Sequence, residues 1–177
     1  MPSGPAFRLY AEASPNFQVQ TGVAIANASP SPASVAFELT DLAGQSMGLS
    51  GSIVVPGNGQ TAEFLNQIPG FSALPTPFQG VLRIVGSASG ISVVGLRGRT
   101  NERGDFLIAT TSPVDESGTA SSTEWLFPHI VDSGGYSTQL ILFSGVRGQS
   151  ATGTLGFVSQ SGADLNLHFK DKKLAAH

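Results

Sequence analysis

Apolar residues in this chain recur at every second position, and almost nowhere at the three-to-four spacing of a helix. Val35, Phe37 and Leu39 alternate with Ala36, Glu38 and Thr40, and Val23 and Ile25 alternate with small residues. Ile53 and Val55 run into Pro56-Gly57-Asn58-Gly59, a strong turn signal. An extended stretch from Thr61 to Leu65 leads to Pro69-Gly70 and to the Pro-rich passage Leu74-Pro75-Thr76-Pro77. Further strands are predicted over 80–85, 91–96 and 106–110, with hairpin loops at Asp41-Leu42-Ala43-Gly44 and Ser159-Gln160-Ser161-Gly162. A short turn over 63–67 is the sole helical candidate. Half-buried alternating strands need a second sheet against their apolar face. Without helices, an antiparallel sandwich supplies it. The predicted fold is therefore all-β: an antiparallel, Ig-like β-sandwich.

The pattern also repeats. Gln20-Thr21-Gly22-Val23-Ala24-Ile25-Ala26-Asn27, a gap of small residues, and Ser34-Val35-Ala36-Phe37-Glu38-Leu39 form one unit. A shorter version follows in Thr138-Gln139-Leu140-Ile141-Leu142-Phe143-Ser144, a gap, and Thr152-Gly153-Thr154-Leu155-Gly156-Phe157-Val158. Phe7-Arg8-Leu9-Tyr10 and Leu126-Phe127-Pro128-His129 open the two copies. This partial internal duplication divides the chain into a first unit over 6–112, a Ser-, Thr- and acid-rich linker over 113–123, and a shortened second unit over 124–169 packing on the first. The lysines all lie in 170–177, where Lys173-Leu174-Ala175-Ala176-His177 reads as a vector-derived tail. The opening Met1-Pro2-Ser3-Gly4-Pro5 lacks the charged-then-apolar pattern of a signal peptide, as an internal domain would.

The passages TGVAIANASPSPASVAFELTDLAGQ, VPGNGQTAEFLNQIPGF, FQGVLRIVGSASGISVVGLRGR and LFPHIVDSGGYSTQLILFSG resemble a repeated β-sandwich module. Such modules occur in large exported, multidomain proteins of soil bacteria such as acidobacteria. The resemblance covers nearly the whole chain and rests on structural motifs. It implies a bacterial protein that is secreted or displayed on the cell surface, of a kind whose function is mostly unassigned and of which some have adhesion-like or glycan-active neighbours.

Composition narrows the partners. Charged residues make up 12% of the 177, against about a quarter in average globular proteins, and Gly occurs 22 times. With a net charge of −3 and no basic cluster, nucleic acid is excluded as an expected partner. No apolar run approaches the about 20 residues of a membrane span. Cys is absent, which removes disulfides, thiolate zinc sites and a Cys nucleophile.

The candidate chemistry is sparse. His129 lies in Phe127-Pro128-His129-Ile130-Val131-Asp132-Ser133-Gly134-Gly135, where a base, a carboxylate and a hydroxyl come within five residues. In a hydrolase, His129 would be the base and Asp132 its orienter or a metal ligand. Catalytic triads, however, draw their members from separate segments, so a structural role for His129 at a sheet edge is favoured. No Gly-x-Ser-x-Gly elbow occurs, and His129 and His168 lack zinc-ligand spacing. Calcium is the one cofactor considered, with oxygens from Asn101, Glu102 and Asp105, from Asp132, and more weakly from the linker acids Asp115 and Glu116. Their spacing matches no calcium loop, and solvated turns are the favoured reading.

Arg97 and Arg99 share one strand face, with Arg103 just beyond and Arg83 expected on a neighbouring strand. That face would suit a carboxylate or sugar-acid ligand. Cross-strand pairing of Arg83 and Arg97 with Glu38 or Glu63 is the favoured alternative. Trp125 and Tyr136 are the candidate platform for a glycan, whereas Phe17, Phe37, Phe64, Phe78 and Phe143 read as core.

Three functions are compatible with these residues. The leading one is a non-catalytic module for adhesion, display or binding of a protein or glycan surface. A small hydrolase of esters, lactones or glycans, calcium-assisted, is the second, and a carbohydrate-binding module the third. The shortened repeat predicts an open sheet edge near 140–144 or 155–159, through which a homodimer would form.

Overall fold

Alternation produces the expected ladder. The computed structural model describes residues 3–87, 90–116, 125–131, 133–136, 138–142, 144 and 153–165. Its strands are β1 (Ser3–Gly4), β2 (Ala6–Ala13), β3 (Val19–Asn27), β4 (Ala33–Asp41) and β5 (Ser46–Val55), followed by β6 (Gln60–Phe64), β7 (Phe78–Gly86), β8 (Ile91–Thr100), β9 (Phe106–Thr111) and β10 (Val114–Asp115). The helical content among the described residues is two 3-10 turns, Pro15–Phe17 and Leu65–Gln67, the second falling inside the predicted helical stretch 63–67.

Every strand pairing is antiparallel. The ladder runs β1-β8-β3-β2-β7-β4-β5, with β6 also on β3, β9 also on β8 and β10 also on β2. Its links are unequal. β2 and β7 are in register from Ala6↔Val85 to Ala13↔Phe78, whereas β2 and β3 meet only at Ala13↔Gln20. That narrow link separates a half built of β5, β4, β7 and β2 from a half built of β6, β3, β8 and β9.

The two halves share one core. Phe7 and Leu9 of β2, Phe37 and Leu39 of β4, and Leu82 and Ile84 of β7 belong to the same buried cluster as Val23 and Ile25 of β3 and Ile91 and Val93 of β8. Each such side chain contributes about 1.5–3 kcal/mol by leaving water. The period-two apolar faces of both halves contribute to this one cluster, which is consistent with a sandwich-like fold. The passage between β6 and β7 also belongs to the core. Leu65, Ile68, Phe71 and Leu74 are buried, and Phe71 meets Phe37 edge to face at 6.5 Å.

One buried polar side chain holds the turns at one end. Asn27 closes β3, and its amide nitrogen donates to the carbonyls of Ser31 (2.9 Å), Pro56 (3.2 Å) and Val55 (3.3 Å). Its amide oxygen accepts from the Ser29 N–H at 3.0 Å. Burial without such partners would cost about 1–3 kcal/mol.

The segment 113–123, expected as linker, begins with a strand. Val114 and Asp115 of β10 pair with Arg8 and Phe7 of β2, so the ladder of the first unit reaches past 112. The rest of that segment, 117–123, and the tail 170–177 lie outside the described residues. Over 125–165 the described residues carry two isolated bridges, Ser133↔Tyr136 and Val158↔Asp164, and no named strand. Among the described residues no helix is long and apolar enough to cross a membrane.

Candidate interaction surface

Polar side chains on the outer faces of the strands are largely committed to one another. In β2 the odd residues 7, 9, 11 and 13 point into the core, which turns Arg8, Tyr10 and Glu12 outward. Arg8 lies directly across from Arg83 of β7. Glu116, just after β10, receives both: the Arg83 guanidinium donates to its two carboxylate oxygens at 2.8–3.0 Å, and Arg8 Nε lies 3.8 Å from it. Arg83 also reaches Glu38 of β4 at 3.4 Å. Hydrogen bonding to Glu116 raises the Arg83 pKa further, against the opposing effect of burial. Arg8 Nη1 donates to the carbonyl of Ser144. Two guanidinium groups and two carboxylates thus form a neutral set that closes the β4–β7–β2 face. The expected Arg83–Glu38 pair is part of it.

A second group sits where β2 approaches β8. Arg97 donates to Glu12 at 2.7 Å, rather than to the expected Glu38 or Glu63, and the Tyr10 hydroxyl lies 3.5 Å from the other oxygen of Glu12. The Tyr10 pKa is pushed up to about 12, first by burial and then by the charge and hydrogen bond of Glu12, with Arg97 acting in the opposite direction. Arg83 is not alongside Arg97 and Arg99. It sits on β7, separated from β8 by β2 and β3. Arg97, Arg99, Gln18 and Asn101 line an open pocket of about 360 Å³.

The hairpin between β8 and β9 holds the candidate calcium oxygens. The side-chain oxygen of Asn101 accepts from the N–H groups of Arg103 and Asp105 at 2.9 Å each, and its amide donates to the Asp105 carboxylate at 3.0 Å. Glu102 bonds Arg99 at 2.8 Å. Its pKa is lowered by its own backbone hydrogen bond and then by Arg99. Asn101 and Asp105 therefore tie the turn together while Glu102 turns to Arg99. The carboxylates are used by the turn itself, and among the described residues no group of three or more His, Asp or Glu converges. Of the linker acids, Glu116 belongs to the arginine set and Asp115 to β10.

His129 is exposed in the segment 125–131, which has no regular secondary structure, and Asp132 lies outside the described residues, as do His168 and Phe143. Next to it, Gly134 and Gly135 take positive φ angles of 63° and 84°, turning the chain so that the Tyr136 N–H reaches the Ser133 carbonyl at 3.0 Å. The Thr138 hydroxyl bridges the N–H and carbonyl of Val131 at 3.0 Å. Trp125 (77% exposed), Leu126 (84%) and Tyr136 (74%) stand in solvent. Among the described residues neither ring of the candidate glycan platform stacks on another.

The outer face of the other half is apolar. Gly22 of β3 and Gly98 of β8 leave room for rings: a Cβ on Gly98 would lie 2.7 Å from Phe106, and one on Gly22 would lie 2.8 Å from Phe64. Phe64 and Phe106 meet edge to face at 5.8 Å over this floor. Phe64, expected in the core, is thus half-buried on the outside. Sequence alone does not point to Glu12, to Glu116 as an arginine partner instead of a calcium ligand, or to this aromatic pair. Arg8-x-Tyr10-x-Glu12 carried a signal, because alternation puts all three on one face.

No protein-family model matches the chain, and no curated protein matches it. Among solved structures, the chain is similar to the crystal structure of Thermotoga maritima 1070, with a TM-score of 0.51 and 10% identity. The match covers 67% of this chain and 100% of that one. At that identity the likeness concerns the fold alone. A complete chain of related fold is accommodated within two thirds of this one.

Proposed function

We propose that the protein is a non-catalytic β-module of an exported bacterial protein, secreted or held at the cell surface, acting by binding a protein or glycan. One observation carries this reading. The charged groups of the strands are largely spent on each other, while Trp125, Leu126 and Tyr136 stand in solvent, Tyr136 within the turn that Thr138 closes onto Val131. Exposed apolar side chains are candidates for interaction sites, and Trp and Tyr add ring faces on which sugars stack. The low charge and Gly-rich turns suit a module displayed outside the cell. Trp125 and Tyr136 are the proposed contact residues, and a carbohydrate-binding module is the form of this reading that they favour.

The test is binding of purified protein to arrayed bacterial and plant polysaccharides and to intact cells, beside Trp125→Ala and Tyr136→Ala. Ester, lactone and polysaccharide hydrolysis is assayed in parallel, with calcium and with chelator. The expected result is ligand capture that each substitution weakens, and no turnover. Hydrolysis that disappears in folded His129→Ala protein would replace this reading with the hydrolase.

A further inference from the structure

The geometry points to β9 as a self-association edge, at which a second copy of this chain adds its own β9 antiparallel across a two-fold axis at Ile108. This goes beyond the ligand-binding reading, since it uses a different surface and a different partner. It also places the open edge elsewhere than the predicted stretches 140–144 and 155–159.

The orientation of the β9 backbone follows from two hydrogen bonds. The Asn101 N–H donates to the Asp105 carbonyl at 2.9 Å, and the Thr100 N–H donates to the Gln18 carbonyl at 2.7 Å. Residues of an antiparallel strand bond alternately to one side and the other. Thr100 and Gly98 therefore bond toward β3, whereas Arg99, Arg97 and Gly95 bond toward β9. Their partners across the pair are Leu107, Ala109 and Thr111. The N–H and C=O groups of Phe106, Ile108 and Thr110 consequently point away from β8. Among the described residues no strand pairs with them.

Edges elsewhere in the ladder are defended. β6 has five residues and carries Glu63, and β1 has two. β5 is interrupted by Gly48 at φ 67° and by a register shift against β4, and a Cβ on its Gly51 would lie 2.0 Å from the Pro69 carbonyl oxygen. β9 has no charge, no Pro and no bulge in Phe106-Leu107-Ile108-Ala109-Thr110-Thr111. Its Phe106, Leu107 and Ile108 are 48%, 52% and 57% exposed. Such an edge is a template for another strand.

A second β9 fits this edge in one register that uses all of it. With Ile108 opposite Ile108 of the second copy, Phe106 falls opposite Thr110, and Thr110 opposite Phe106. Each of these three pairs exchanges two hydrogen bonds, about six in all. Outer-face residues stay with outer-face residues, so the Phe64–Phe106 patches of the two copies join, and no like charges face each other. A six-residue strand pair lies at the low end of interface sizes, below about 1,200 Å². The dimer is accordingly weak and concentration-dependent.

Sedimentation equilibrium from about 10 µM to about 1 mM should show a reversible monomer–dimer equilibrium. Ile108→Lys, which sets two ammonium groups across the axis, should weaken association at least about tenfold while circular dichroism stays unchanged. Ile108→Pro is a second variant, because it removes only an outward N–H. Because the chain has no cysteine, Ile108→Cys reports the register directly. Hydrogen-bonded antiparallel partners lie about 5.5 Å apart at Cα, within disulfide reach. Oxidation should give a covalent dimer for Ile108→Cys and little for Thr110→Cys, whose copies sit four residues out of line. A monomer at about 1 mM, undiminished association of Ile108→Lys, or equal cross-linking at both positions would overturn the inference. Loss of ligand binding through Trp125 leaves this dimer untouched, so the two proposals fail separately.

Discussion

Strands β4 and β9 are both rich in apolar residues and meet opposite fates. In Ala33–Asp41, every second side chain is buried, and Ser34, Ala36 and Glu38 face outward. In Phe106–Thr111, all six residues are exposed. The difference is position in the ladder. β4 lies between β7 and β5 and turns its apolar face onto the shared core, whereas among the described residues β9 pairs with β8 alone and has apolar residues on both faces. A continuous apolar run is the usual mark of a strand buried on both sides. Here it marks an edge. Alternation reports burial because it records two different environments; apolarity alone records only a capacity to be covered.

Removing a ring from each strand breaks this comparison most sharply. Phe37→Ala should cost about 3–5 kcal/mol, because the side chain is fully buried against Phe71 and its removal leaves a cavity. Ile108→Ala in β9 should stay within about 0.5 kcal/mol in dilute monomer. Urea unfolding with a common m-value measures both. Equal costs would mean that β9 is covered as β4 is.

The next effect concerns the outer faces. The β4–β7–β2 face is closed by Arg8, Arg83, Glu38 and Glu116, whereas the β3–β8 face is closed by two rings over glycines. Glu116→Gln keeps the shape but weakens the charge-assisted bonds to Arg83. Charged hydrogen bonds of this kind contribute about 1.5–3 kcal/mol, so unfolding should come earlier by about that amount at neutral pH. Proteolysis after residue 112 should also accelerate, since Glu116 pins the end of β10. No change in either would show that β10 is held by its backbone pairing alone.

A smaller change is expected on the glycine floor. A Cβ on Gly98 would lie 2.7 Å from Phe106 and 3.1 Å from Phe64. The rings must move, and Phe106 belongs to an exposed strand that can give. Gly98→Ala should therefore cost about 1 kcal/mol, in the range of mild overpacking. Gly80 provides the contrast: its Cβ would lie 2.0 Å from the Thr40 backbone oxygen, which cannot rotate aside. Gly80→Ala should cost clearly more in the same urea series.

Strands such as β3 and β4 are legible because they carry their own alternation, and β9, which does not alternate, is legible as a short apolar run bounded by turn residues. β8 extends further than expected, to Thr100, since Arg97 and Arg99 do not interrupt a strand whose end lies beyond the core. The passage with Leu65, Ile68, Phe71 and Leu74 carries the prolines and Gly70 of a turn, yet its apolar side chains enter the core, Leu65 from a short 3-10 turn and the others from irregular chain. The arginine partners were only half legible. Register decides which carboxylate an arginine meets, and Glu116 arrives from a two-residue strand too short to show a period. Likewise, the resemblance between 20–44 and 138–162 is a similarity of sequence pattern, and pattern alone does not specify which strand a segment will pair with.

The last prediction turns on a single proton. Tyr10 and Glu12 share the outward face of β2, and Arg97 of β8 reaches across to Glu12. Burial and the neighbouring carboxylate hold the Tyr10 pKa at about 12 instead of 10.0. Between these values the folded chain keeps a proton that the unfolded chain has lost. Stability then falls with rising pH, because the folded state binds more protons. The contribution is complete below about pH 10 and is lost as pH rises through about 12. Phenolate absorbance should show one tyrosine titrating near 12, and Tyr10→Phe should remove that step. Glu12→Gln should bring it down, since it deletes the charge and weakens the bond while leaving burial in place. A Tyr10 midpoint that does not move in Glu12→Gln protein would show that burial alone sets it and that the Glu12 carboxylate does not act on the Tyr10 hydroxyl.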